Sequence, residues 1–223
     1  MKKITCGILV FVLIFSLSLA ETVYVSISDD HGNLALAYEP VEVSDLNGDG
    51  AINIDEALHS AHELAYPGGA ELGYESLDMG FGLSMNRLWG IENGGSYGYY
   101  LNNGSAISLL DEISDGDAVY AYAFTDLETW SDTYSFFDSS VIEATGTFEL
   151  TLSAQSFDAA WNPVCLPVEG AVITIDGVNS DFVTDMNGKV QIELPTGEYL
   201  ISATSEQMTL VPPVCRATVV AAE

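Results

Sequence analysis

Hydrophobic and polar positions alternate with a period of two along most of this chain, and in one short segment the period changes to that of a helix. In TVYVSIS, Val23, Val25 and Ile27 alternate with their neighbours, which predicts a half-buried strand. Asp29 to Asn33 reads as a turn into a second strand region, LALAYEPVEV. From Glu56, EALHSAHELA sets Ala57, Leu58, Ala61, Leu64 and Ala65 at helical spacing and stops at Pro67-Gly68-Gly69. Strand patterns return in GLSMNRLWGIEN, GYYLNN and DAVYAYAFTD, separated by Asn-Gly and Asp-Gly turns. Beyond SDTYSFFDSS the pattern is purely β: FELTLSAQSF, EGAVITIDG, the run SDFVTDMNGKVQIELPTGEYLISATSE and VCRATVVAA.

Both periods are interrupted at Asp45 to Glu56, DLNGDGAINIDE. Asp45, Asn47, Asp49, Asn53 and Glu56 offer side-chain oxygens at positions 1, 3, 5, 9 and 12, and Ala51 offers its carbonyl at position 7. Gly50 supplies the sharp turn, and Ile52 is the apolar residue expected to fix the loop to the core. A hard divalent cation takes roughly six to eight oxygens at about 2.3–2.6 Å, so this spacing reads as an EF-hand-type Ca2+ loop. The preceding segment contains Pro40 and β-branched residues and reads as strand, so the loop leads into a helix without the usual incoming helix. DMNGKVQIE, Asp185 to Glu193, has Lys189 where an oxygen ligand belongs. A single loop argues against the paired calcium loops of a dockerin.

The start of the chain has a different character. Lys2-Lys3, the apolar run ITCGILVFVLIFSLSLA, and Ser18 and Ala20 ahead of a cleavage point read as a secretory signal peptide over residues 1–20. The expected destination is secreted, extracellular or at the cell surface.

Composition limits the partners. The chain has five Lys+Arg against 33 Asp+Glu, a net charge of −28, and two of those lysines lie in the leader. Arg87, Lys189 and Arg216 are the remaining cations. So acidic a surface repels nucleic acid and anionic membrane and favours divalent cations. With 48% hydrophobic and 10% aromatic residues, there is ample material for folded cores. The expected division is residues 21–138 as an α+β domain, in which two strands, a helix and further strands follow a β-grasp-like order, and 139–223 as an all-β sandwich.

Two resemblances refine this. WGIENGGSYGYYLNNGSA and LLDEISDGDAVYAYAF resemble the domain family similar to the C-terminal domain of transcobalamin over roughly residues 22–126. Trp89, Tyr99, Tyr100, Asn102, Ile113, Gly116, Asp117 and Val119 carry it. It implies a β-grasp-type fold of secreted or surface proteins, some of whose members help bind a corrinoid. The calcium loop departs from that pattern. Over residues 168–205, Gly170, Ile173, Ile175, Gly177, Thr184, Asp185, Asn187, Gly188, Val190, Gly197 and Tyr199 resemble carboxypeptidase-regulatory-like and CnaB-like modules. These imply an Ig/transthyretin-like β-sandwich stalk without chemistry of its own. Lys189 sits in a turn, so no isopeptide bond is expected.

Three further expectations follow. Cys165 and Cys215 flank the second domain in matching contexts, NPVCLP and PPVCR, and are expected to pair as a disulfide, with two buried thiols as the alternative. His59 and His62, with Glu63 beside them, read as a solvated helical face, because HSAHE matches no metalloprotease motif. The aromatics dense between residues 97 and 137 read as core and domain packing, with Trp130, Tyr134, Phe136 and Phe137 between the domains. The alternative makes them the wall of a corrinoid-like small-molecule or carbohydrate site. The expected function is a noncatalytic extracellular binding or adhesion module with a structural Ca2+ site, not an enzyme, and its partner is an extracellular protein, glycan or small molecule.

Overall fold

The computed structural model describes residues 20–80 and 82–221, and it is built mostly of β-strands. Apart from Ala20, the expected leader lies outside the described residues. Strands β1 (Ala20–Ser28) and β2 (Leu34–Ser44) form an antiparallel hairpin that delivers the chain to helix α1 (Ile54–Ala65). A short helix, α2 (Gly69–Gly73), and the hairpin β3 (Glu75–Asp78) and β4 (Leu83–Arg87) follow. Then come β5 (Tyr97–Leu101), β6 (Gly104–Ser105) and β7 (Ala118–Ala123). The sheet order is β2-β1-β7-β5-β6, with β1 and β7 parallel at its centre.

The two faces of this sheet have different neighbours. Val23, Val25, Ile27, Val41, Val43, Val119 and Ala121 point to one side and are at most 1% exposed. Helix α1 packs there through Ala57, Leu58 and Ala61, while Leu64 stays 61% exposed on its far side. The other side is a face of tyrosines. Tyr120 and Tyr122 share it with Tyr100 across the β5–β7 pairing, and Tyr24 and Tyr38 stack farther along. Gly98 leaves room for the Tyr122 ring, which a Cβ at that position would strike.

A sandwich covers much of the tyrosine face. Its strands are β8 (Thr133–Phe137), β9 (Val141–Ala144), β10 (Thr147–Phe157), β11 (Pro163–Pro167), β12 (Val172–Ile175), β13 (Val178–Val183), β14 (Lys189–Glu193), β15 (Gly197–Thr204), β16 (Leu210–Val211) and β17 (Cys215–Val219). One sheet runs β11-β10-β8-β16 with β14 also on β10, and the other runs β13-β12-β15-β17-β9. Between them Leu150, Leu152, Ile173, Ile192 and Ile201 are fully buried. β8 hydrogen-bonds to β10 and β16, so residues 133–137, expected with the first domain, pair with strands of the sandwich.

At the seam, Tyr134 stacks on Tyr100 at 3.6 Å and donates its hydroxyl to Asn103 at 2.9 Å. The Tyr120 hydroxyl donates to the Pro212 carbonyl at 2.6 Å, and Gln155 donates to the Asn103 carbonyl at 3.0 Å. Each buried hydroxyl therefore retains a partner in place of water. Of the expected interdomain set, Tyr134 and Phe136 lie in the seam. Phe137 belongs instead to the sandwich core at 2% exposure, because its position on β8 faces inward, and Trp130 is 64% exposed in the connecting loop.

Candidate metal centre

The loop 45–56 joins the end of β2 to the start of α1, and its oxygens are folded inward by its own amides. The Asp45 carboxylate accepts the N–H groups of Gly48 at 2.6 Å, Asp49 at 3.2 Å and Gly50 at 2.9 Å. Asn47 Oδ1 accepts from the Asp49 N–H, and Asp49 Oδ1 from the Ala51 N–H. Gly50 turns the chain at φ 94°, a left-handed conformation that L side chains resist.

Asn53 and Glu56 close the far side as a capping box. Asn53 Oδ1 accepts the Glu56 N–H at 3.1 Å, and Glu56 Oε2 accepts the Asn53 N–H at 3.2 Å. Glu56 Oε1 also reaches across the loop to the N–H groups of Leu46 at 2.6 Å and Asn47 at 3.2 Å. One carboxylate thus ties the helix start to the loop entrance. The helix begins at Ile54, two residues before the periodic run signalled it, because the cap residue is Asn53.

Glu56 is 3% exposed and Asn53 2%, while Asn47 and Asp49 stand at the open rim. Among the described residues no Lys, Arg or His forms a salt bridge with Asp45, Asp49 or Glu56: Arg87 pairs with Glu92, Lys189 with Glu149 and Arg216 with Glu39. Three carboxylates, two Asn side chains and the Ala51 carbonyl on one 12-residue loop are a hard-oxygen donor set suited to Ca2+. Asn53 caps the helix with its oxygen, which suits a ligand position served through water.

A segment remote in sequence braces the loop. Ile113 donates its N–H to the Ile52 carbonyl at 2.9 Å, Ile54 donates to Asp111 at 3.2 Å, and Asp55 donates to Leu109 at 2.9 Å. Asn53 and Glu112 form an isolated bridge. Ile52 and Ile113 are each 5% exposed in the helix-side core. Sequence reading anticipated the anchoring role of Ile52 but missed its partner. The signal present was the apolar triplet Leu109, Leu110 and Ile113 among acids, legible only as a loop.

A tighter group lies elsewhere. At the β1–β2 turn, ligand atoms of Asp29, Asp30 and His31 fall within 4.8 Å of one another, closer than the loop carboxylates Asp45, Asp49 and Glu56 approach. Asp29 is occupied by the N–H groups of His31 and Asn33, and Asp30 pairs with His31 at 2.7 Å, so this cluster closes the turn.

Comparison with known proteins adds no assignment. No family model and no curated protein matches the chain. Among solved structures, murine CEACAM1b aligns at 9% identity and a TM-score of 0.21, over 92% of this chain and 100% of that one. A superposition so loose carries no argument about fold or function.

Two expected features take different forms. Cys165 and Cys215 are free thiols: Cys165 is exposed on β11, whereas Cys215 is buried on β17, in the opposite sheet. Burial, with a smaller contribution from Asp138, pushes the Cys215 thiol up to about 12. His62 is not on a solvated face. It is fully buried against Tyr66, Tyr74 and Trp89, with Nδ1 2.6 Å from the Leu58 carbonyl and Nε2 accepting the Trp89 N–H at 2.9 Å. Those partners require a neutral ring protonated at Nδ1, and burial lowers its pKa to about 4.

Among the described residues, the cavity at the buried aromatics of β7 and β8 is too small for a ligand. The cavity lined by Tyr38, Tyr120 and Tyr134 measures about 20 Å³, room for about one water. Other residues that carry the family resemblance have structural partners: Asn102 bonds to Asp117 and to both backbone groups of Ala118, fixing the β5–β6 turn to β7.

Proposed function

We propose that this protein is a secreted, noncatalytic binding or adhesion module in which the EF-hand-type loop is a structural Ca2+ clip. The observation that carries the reading is the loop itself: Asp45, Asp49 and Glu56 occupy ligand positions 1, 5 and 12, each accepts backbone N–H groups of the loop, and among the described residues none is in a salt bridge. Bound Ca2+ would supply the missing positive charge. Asp45, Asn47, Asp49, the Ala51 carbonyl, Asn53 and Glu56 would hold it, fixing the end of β2 to the start of α1. Only one helix adjoins the loop, so there is no helix pair to open, and the role is stabilisation rather than sensing.

The order β2-β1-β7-β5 with a parallel central pair, and a helix on one face, supports a β-grasp-like first domain. Among the described residues no helix is long and apolar enough to cross a membrane, which is compatible with export under the leader. The expected partners are an extracellular protein, glycan or small molecule, with neither nucleic acid nor membrane among them.

Calorimetric titration of EDTA-stripped protein with Ca2+, alongside thermal melts, tests the reading. At Ca2+ about ten times its dissociation constant, stability rises by about 1.4 kcal/mol. Absence of both binding heat and a melting shift would remove the proposal.

A further inference from the structure

The outer face of the sheet β13-β12-β15-β17-β9 stays partly open beside the seam. Strand register puts Asn179, Thr174 and Ser202 in one cross-strand row, and Leu200, Arg216 and Val141 in the next. Two clefts flank this face, and Leu200 lines both. One, of about 850 Å³, is lined by Thr174, Ser202 and Asn179 together with Asn33, Thr125 and Gln207. The other, of about 530 Å³, runs between Tyr24 and Tyr38 of the first domain and Glu198, Arg216 and Thr218 of the second. Both volumes lie in the range of ligand clefts, roughly 300–1,000 Å³, and domain junctions are common places for them.

The lining selects among ligand classes. Tyr24 and Tyr38 stack at 4.5 Å with planes 7° apart and form an aromatic platform at one end. Tyr38 is held there at φ 50°, with its N–H on the Ser26 hydroxyl at 2.9 Å. Arg216 donates Nε–H to the Ala37 carbonyl at 2.7 Å and pairs with Glu39, so its charge is already compensated. An anionic ligand would therefore find no free cation in a chain of net charge −28. A wholly apolar ligand would leave the Thr, Ser and Asn groups without water or partner. A neutral sugar chain meets both halves: its C–H faces lie on tyrosine, and its hydroxyls exchange hydrogen bonds with hydroxyl, amide and carboxylate groups.

We propose that this seam groove, from the Tyr24–Tyr38 platform past Leu200 to the Thr174–Ser202 row, binds a neutral oligosaccharide. The assignment rests on the reading of the protein as an extracellular binding module. It places the ligand surface on residues other than the buried aromatics of β5, β7 and β8.

The test is calorimetric titration of the purified protein, with Ca2+ and again in EDTA, using cellohexaose, xylohexaose, mannohexaose and a heparin hexasaccharide as probes. Tyrosine difference absorption is recorded in parallel. The expected result is binding of at least one neutral probe with a tyrosine signal, weakened about tenfold in both Tyr38→Ala and Thr174→Val. Thr174→Val keeps the side-chain shape and decides the matter should Tyr38→Ala fail to fold. Binding of no neutral probe, preference for the heparin probe, or undiminished affinity in Thr174→Val with an unchanged melting temperature overturns the groove. The calcium clip is judged separately, by the melting shift with Ca2+ alone.

Discussion

The backbone N–H of Ile113 donates to the carbonyl of Ile52 at 2.9 Å across 61 residues of sequence, and both side chains are buried beneath helix α1. This bond couples the exit half of the candidate calcium loop to the helix-side core. A loop braced in this way loses less conformational freedom when an ion binds than a free loop would, so its ligands are partly preorganised.

Glu56→Gln retains a capping oxygen but removes one of the three loop charges. The expected outcome is a smaller melting shift between EDTA and Ca2+, with stability in EDTA lowered by about 1–3 kcal/mol because the Gln amide nitrogen cannot accept a backbone N–H that Glu56 holds. Paired thermal melts of the two proteins check it, and an undiminished calcium shift would count against Glu56 as a ligand.

Ile52→Ala removes buried methyl groups where the loop meets the core. A destabilisation of about 2–5 kcal/mol is expected by urea unfolding, together with weaker Ca2+ binding. Leu64→Ala, on the exposed face of α1, should change stability by about 0.5 kcal/mol or less.

His62 binds its proton less readily when folded, near pH 4, than unfolded, near 6.5. Its contribution to stability is therefore complete above about pH 6.5 and is lost as pH falls through about 4. Between pH 7 and 5.5 the expected loss is about 1 kcal/mol. Urea unfolding of wild type and His62→Gln at both pH values reads this directly: the variant should be less stable throughout but flatter in that interval.

Native alkylation followed by mass measurement should modify Cys165 quickly and spare Cys215, which is buried with its thiol pushed up to about 12. Modification of both appears only in denaturant. A single intramolecular disulfide in the native protein would contradict the placement of the two residues on opposite sheets.

Gly98→Ala drives a methyl group into the Tyr122 ring on the tyrosine face. Overpacking of this kind typically costs about 1–3 kcal/mol. The seam should loosen first, seen as faster amide exchange around Tyr120 and Tyr134 than in the helix-side core.

Local spacing made much of the molecule legible. The periodicity of β1 and β7 assigned Val23, Val25 and Ile27 to one side of a sheet and Tyr120 and Tyr122 to a single face, because alternate side chains of a strand must point to opposite sides. The twelve-residue spacing of Asp45 to Glu56 indicated the turn at Gly50 and the burial of Ile52, since loop geometry depends on residues only a few positions apart. The aromatic density between residues 97 and 137 showed that a large aromatic surface needed covering.

Tertiary structure decided what covers it and what each remote residue meets. That β8 pairs with the sandwich, that Ile113 holds Ile52, that Trp130 is exposed while His62 is buried, and that Cys215 is sealed away from Cys165 all depend on contacts between distant segments. A periodic pattern states which face of an element seeks burial, but many partners offer similar apolar area. The choice among them is made by whole-chain packing and by pairing every buried hydrogen-bonding group.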